Sequence, residues 1–174
     1  GGRVTVTNLG RHTVQGDARL AAVLASMGAR VEWSDQQVTV AGPAGGRLRG
    51  GQEFDLNDMP DQAQTLAVVA LFADAPVRIT NIGNLRIKET DRLTAMATEL
   101  SRLGAEVEEG DDELTVHPLR RTPEAPVVLG TYGDHRMAMA LAVAGARISN
   151  VVIDEPAVVA KTYPGFFTDF LSLL

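Results

Sequence analysis

The chain has 174 residues, 45% of them apolar and 22% charged, which is ordinary globular usage. A chain of this length forms one domain or a small pair and buries about 70% of its unfolded surface. Its net charge of −6 gives no general basic field, which excludes nucleic acid and anionic membrane as expected partners; any bound anion must meet a local positive cluster.

The absence of cysteine removes disulfides and thiolate metal sites. His12, His117 and His135 have no zinc-ligand spacing, so neither a metal nor another cofactor is expected. The longest apolar run is too short to cross a bilayer and no secretory signal is evident, which makes a cytoplasmic protein the expectation. The chain opens at Gly1-Gly2 without methionine, as a fragment would.

From the amino end, Val4 to Thr7 alternates apolar and polar residues and predicts a strand with one wet face. Thr7-Asn8-Leu9-Gly10 leads into a helix pattern, then Met27-Gly28-Ala29-Arg30-Val31-Glu32 and the strand Val38-Thr39-Val40. Ala41 to Gly46 reads as a turn and Arg120 to Pro126 as a loop. The same succession returns as Thr80-Asn81-Ile82-Gly83, then Leu103-Gly104-Ala105-Glu106-Val107-Glu108 and Leu114-Thr115-Val116. A second echo pairs Asp61 and the helix Thr65 to Phe72 with Asp134 and the helix Met137 to Ala144, at an offset of 73 residues that Lys88 and Lys161 share.

One βαβαββ unit therefore carries a helix, a strand, a charged passage, a second helix and two closing strands. Three such units are expected within one lobe, at 1–43, 53–118 and 127–174. The first lacks the helix that should open it and the last lacks its closing strands, so the array is expected to be incomplete at both ends, with open sheet edges.

The two kinds of helix differ. Thr65 to Phe72 and Met137 to Ala144 are apolar nearly all round and belong inside. Asp91 to Leu103 instead places Leu93, Met96, Leu100 and Leu103 at helical spacing, with Arg92, Glu99 and Arg102 expected to face outward. The last helix carries Phe166, Phe167, Phe170, Leu171 and Leu174. Buried helices under outer mixed sheets are the predicted arrangement.

Between the strand Val77 to Ile79 and the amphipathic helix lies Asn84-Leu85-Arg86-Ile87-Lys88-Glu89-Thr90-Asp91-Arg92-Leu93, half of it charged. Thr90 or Asp91 can cap the helix. Arg92 falls in the first turn, where the helix dipole disfavours an exposed cation by about 0.3–1 kcal/mol. The placement recurs at Thr131-Tyr132-Gly133-Asp134-His135-Arg136, where Arg136 opens a helix. Two arginines set against the dipole suggest a shared anion, since helix-start N–H groups and guanidinium forks both suit carboxylate or phosphate.

These runs, together with Ala160-Lys161-Thr162-Tyr163-Pro164, resemble the signatures of the EPSP synthases, the shikimate-pathway enolpyruvyl transferases targeted by glyphosate. The likeness covers the whole chain in order. It implies an α/β architecture, one lobe of the inside-out barrel of these enzymes, with the active site in the cleft against an amino-side lobe. Phosphoenolpyruvate and shikimate-3-phosphate are the implied ligands. By resemblance Asp61 accepts the shikimate hydroxyl proton and Glu89 donates or relays one, although a carboxylate after Pro60 also compensates a helix dipole. Arg92 and Arg136 would grip the phosphoenolpyruvate carboxylate, Lys161 its phosphate, and Asn84, Lys88 and Asp61 the shikimate-phosphate. His135 either bonds the intermediate or is structural. Asp134 reads as a cap, and Asp91 as a cap or a partner to an arginine. Two alternatives stand beside this: a lobe of the related UDP-N-acetylglucosamine enolpyruvyl transferases, and a non-catalytic anion-binding domain, for which Asp61 and Glu89 would have no use.

Overall fold

The computed structural model describes residues 2–174. Alternating β-branched residues form β1 (Arg3–Thr7), which is followed by α1 (Leu20–Ser26), β2 (Arg30–Trp33) and β3 (Gln37–Ala41). The middle of the chain runs β4 (Gln52–Asp55), α2 (Ala63–Ala70), β5 (Val77–Thr80), α3 (Arg92–Arg102), β6 (Val107–Glu109) and β7 (Leu114–Val116). The last part comprises β8 (Val127–Leu129), α4 (His135–Gly145), β9 (Val151–Ile153) and α5 (Phe166–Leu171).

Three sheets result, in the orders β1-β3-β2, β4-β5-β7-β6 and β8-β9. β4 pairs in parallel with β5, Gln52 opposite Val77, and β8 with β9, Val127 opposite Val151. Each parallel pair needs a crossover, supplied by α2 and α4 respectively. Antiparallel strands close the first two sheets. The middle segment thus shows the whole βαβαββ order.

Helices α2 and α4 lie inside, whereas α5 has no buried residue. α2 and α4 pack against each other, and Leu66, Ala67, Val68, Ala138, Leu141 and Ala144 are wholly buried. Their alanines allow the close approach, and the absence of a polar stripe leaves no face that prefers water. Along α3 the predicted stripe of Leu93, Met96, Leu100 and Leu103 is buried. Val77 and Ile79 of β5 face the core, while Arg78 between them pairs with Glu53 and Glu113 on the wet face. After α1 and α3 the chain turns through Gly28 (φ 99°) and Gly104 (φ 91°), a left-handed helix stop that a Cβ would strain. Among the described residues no helix is long and apolar enough to cross a membrane.

Three expectations are corrected. Arg92 and Glu99 do not face outward: they are 2% and 1% exposed, because each finds partners from other segments that replace water. β1 does not have one dry face; all five of its residues are exposed, Val4 and Val6 at 47% and 48%.

Candidate active site

Four passages that enter helices or tight turns converge on one side of the helical core. A 3-10 turn, Pro60–Gln62, opens α2 and carries Asp61, with Pro60 where a missing N–H costs nothing. A second, Gly83–Ile87, delivers Lys88 and Glu89 to the start of α3. The third passage enters α4 through Asp134, His135 and Arg136. The last is the turn Pro156–Lys161.

Both helix starts are capped by aspartate. Asp91 accepts the Thr94 N–H at 3.2 Å, and Asp134 accepts that of Arg136 at 2.8 Å. The arginine that Asp91 meets is Arg86, at 2.9 Å, rather than Arg92. Asp134 does more than cap. It is 0% exposed and holds Arg92, whose Nε donates to its Oδ2 at 2.7 Å.

Arg92 is the hub of the site. Besides Asp134, its Nη1 donates to Asp61 Oδ1 at 2.9 Å and its Nη2 to Glu89 Oε2 at 2.8 Å. Burial acts to lower its pKa, but the bond to Asp134 and the charges of Asp134, Glu89 and Asp61 more than offset that and raise it. Asp61 turns its other oxygen to Arg136 Nη2 at 2.9 Å. The two helix-start arginines thus both pair with the protein's own Asp61 carboxylate.

The free side of this network is a hollow of about 260 Å³. It is lined by Asp61, Lys88, Glu89, Arg92, His135, Arg136 and Lys161, with Thr162. Four lining residues are cationic and two are carboxylates, so a chain of net charge −6 has a local positive cluster here. Arg136 and Lys161 keep 33% and 57% of their side chains exposed and can reach an incoming anion.

Lys161 Nζ lies 2.7 Å from Glu89 Oε1. That bond is the first cause holding the Glu89 carboxyl down at about 2, with the Arg92 charge helping. His135 is 4% exposed, and its Nδ1 has no hydrogen-bond partner, Asp134 Oδ1 standing 3.7 Å away. Burial lowers its pKa and the Lys161 and Arg136 charges add to that, against Asp134 and Glu89. Its imidazole is therefore neutral at pH 7.

Of the residues singled out from the sequence, all but Asn84 line the hollow; Asn84 is exposed in its 3-10 turn, outside the lining. The sequence reading missed Thr162 and the anchoring role of Asp134. The repeat held a signal for both, since Thr162 lies 73 residues beyond Glu89 and Asp134 the same distance beyond Asp61. Among the described residues, one group of side chains is spaced to hold a cation: Glu106, Glu108 and His117, whose ligand atoms lie within 4.8 Å of one another outside the hollow.

Comparison with known proteins places these observations. The family EPSP synthase (3-phosphoshikimate 1-carboxyvinyltransferase) matches residues 1–170. The 3-phosphoshikimate 1-carboxyvinyltransferases of Laribacter hongkongensis and Pasteurella multocida are 49% and 46% identical over 99% of this chain. The chain spans about two fifths of the length of these relatives, 40% and 38%. EPSP synthase from Acinetobacter baumannii superposes with a TM-score of 0.81 at 21% identity, covering 98% of this chain and 41% of that one. The enolpyruvyl transferase NikO from Streptomyces tendae gives 0.75 at 23% identity, over 98% and 38%. At such identities these two superpositions speak for the fold alone.

Proposed function

Because the chain belongs to the EPSP synthase family, we propose that it supplies the carboxyl-side half of a site joining the enolpyruvyl group of phosphoenolpyruvate to a hydroxyl of shikimate-3-phosphate. The observation that carries this reading is the meeting of Asp61, Glu89, Arg92, Arg136 and Lys161, from four passages of the chain, in one hollow. Residues 1–174 form a single lobe of three units, 1–43, 53–118 and 127–174, and an amino-side lobe closes over them. The protein is cytoplasmic, and glyphosate, which also carries a carboxylate and a phosphonate, meets the same cations.

Addition requires that the hydroxyl lose its proton as its oxygen bonds the central carbon of phosphoenolpyruvate, while the methylene carbon gains one. Elimination then takes a proton from the new methyl group as the bond to phosphate breaks. Asp61 accepts the hydroxyl proton and Glu89 serves the methyl carbon, each transfer worth about 10²–10⁴-fold. The ligand carboxylate competes with Asp61 for the N–H groups of Arg92 and Arg136. That competition frees Asp61 to turn to the hydroxyl.

Glu89, held at about 2 by Lys161, is ionised in the free state and suited to taking the proton in the elimination. To donate one in the addition it must first lose Lys161, which the substrate phosphate draws away. Lys88 from the hollow and Asn84 from outside its lining meet shikimate-3-phosphate, and the neutral His135 presents its ring to the hollow. Fixing both anions in register makes the encounter nearly unimolecular.

The test is phosphate release from phosphoenolpyruvate and shikimate-3-phosphate. The 174-residue chain alone is expected to show negligible turnover, restored when the amino-side remainder of a two-lobed enzyme is added. Substantial turnover by the chain alone refutes the split site.

A further inference from the structure

Glu99 is a buried carboxylate that the chemistry above does not use. It lies two turns along α3 from Arg92 and is 1% exposed. Its Oε2 accepts the Gly130 N–H at 2.9 Å, its Oε1 accepts the Tyr132 hydroxyl at 2.7 Å, and Arg102 approaches from the rim at 3.4 Å. Gly130 and Tyr132 belong to the passage between β8 and α4 that ends in Asp134, His135 and Arg136.

That passage has an unfavourable shape. The Asp134 N–H donates to the Thr131 carbonyl at 2.9 Å, closing a turn whose central residues, Tyr132 and Gly133, have φ of 55° and 69°. Positive φ at both central positions marks the type I′ turn, which favours Gly, Asn or Asp. A tyrosine there strains against its own Cβ and persists only where the surroundings hold it. Glu99 bonds the passage on both sides of Thr131, at the Gly130 N–H and the Tyr132 hydroxyl. Gly130 leaves room for the clamp: a Cβ there would sit 3.3 Å from Glu99 Oε1 and 3.4 Å from Tyr132 Cε2.

We propose that Glu99 is a positioning residue: through Gly130 and Tyr132 it fixes the turn that aims Arg136 into the hollow. α3 thus grips this passage twice, with Arg92 on Asp134 at the far end and Glu99 on Gly130 and Tyr132 at the near end. The claim that aiming Arg136 governs phosphoenolpyruvate binding rests on the transferase reading; the grip itself does not.

Two measurements separate them. In the 174-residue chain, Tyr132→Phe is expected to speed amide hydrogen exchange at Gly130 and from Asp134 to Arg136 about tenfold, with α2 and β5 unchanged. Unchanged exchange overturns the positioning role whatever the activity. In the two-lobed enzyme, Tyr132→Phe and Glu99→Gln are each expected to raise KM for phosphoenolpyruvate about tenfold, and KM for shikimate-3-phosphate by less than about twofold. The double variant should be no worse than Glu99→Gln alone, because both remove one shared contact. Equal rises for both substrates, or none in Tyr132→Phe, overturn the inference. An inactive wild-type enzyme overturns the transferase reading and leaves the exchange result to decide the grip. Should Glu99→Gln not fold, Tyr132→Phe, which only deletes a hydroxyl, carries both tests.

Discussion

Replacing Arg92 by methionine in the 174-residue chain tests whether the hub is structural. Asp134 is 0% exposed and would lose the bonds from Nε at 2.7 Å and Nη2 at 3.3 Å, keeping only the Arg136 N–H at 2.8 Å. Asp61 and Glu89 would lose less, since both are about 30% exposed and keep Arg136 and Lys161. Stranding one buried carboxylate costs about 3–5 kcal/mol. At an m-value of about 2 kcal/mol/M in urea, the unfolding midpoint should fall by about 1.5–2.5 M. Adding Asp134→Asn removes the stranded charge but leaves an oxygen to cap α4, so the double variant should lose only about 1–2 kcal/mol relative to wild type. Urea titrations followed by circular dichroism measure both. A loss below about 1 kcal/mol for Arg92→Met, or a double variant at least as damaged as the single, refutes the reasoning.

Arg136, one third exposed, should behave differently: Arg136→Ala is expected to leave stability within about 1 kcal/mol of wild type. In the two-lobed enzyme it should weaken phosphoenolpyruvate binding more than shikimate-3-phosphate binding, by titration calorimetry; equal losses would remove Arg136 from the carboxylate. Glu89 and His135 make stability depend on pH in the same sense. The folded state lowers the pKa of both and so binds fewer protons than the unfolded state. Their contributions are present above the unfolded values and lost as pH falls, for His135 below 6.5 and for Glu89 from 4.5 toward about 2. Urea midpoints measured from pH 7 down to 3 should therefore decline, and Glu89→Gln should flatten the acidic part of the curve. A His135 ring that titrates above 6.5 by NMR would contradict its burial.

What was legible in the sequence was what local pattern and repetition can encode. The apolar stripe of α3 shows because burying Leu93, Met96, Leu100 and Leu103 is a property of one helix. The caps at Asp91 and Asp134 are similarly local. The repeat carried longer-range information, since it implied that Asp61 and Asp134, or Lys88 and Lys161, occupy matching places. Arg92 and Glu99 were misread because helical periodicity assigns charge to the wet face. Their actual partners come from afar, Asp134 lying 42 residues beyond Arg92 and Tyr132 lying 33 beyond Glu99. Nor does alternation along β1 determine what packs on Val4 and Val6, which stay half-exposed.

The repeat also explains where a site can form, because its copies are not used alike. In the later copy Arg92 reaches Asp134, and the pair is almost wholly buried, at 2% and 0% exposure. The residue 73 positions before Arg92 is Arg19, which strict repetition would bring to Asp61. Arg19 instead donates to Asp58 at 3.0 Å, an exposed pair with side chains 57% and 70% accessible. Asp61 is left without the arginine of its own copy and is bridged by Arg92 and Arg136 at the edge of the hollow, 30% exposed. Asp134 is sealed by its arginine, whereas Asp61, with one arginine on each oxygen, keeps 30% of its side chain accessible. A departure from repetition at one arginine thus leaves Asp61 accessible at the hollow where its counterpart Asp134 is sealed.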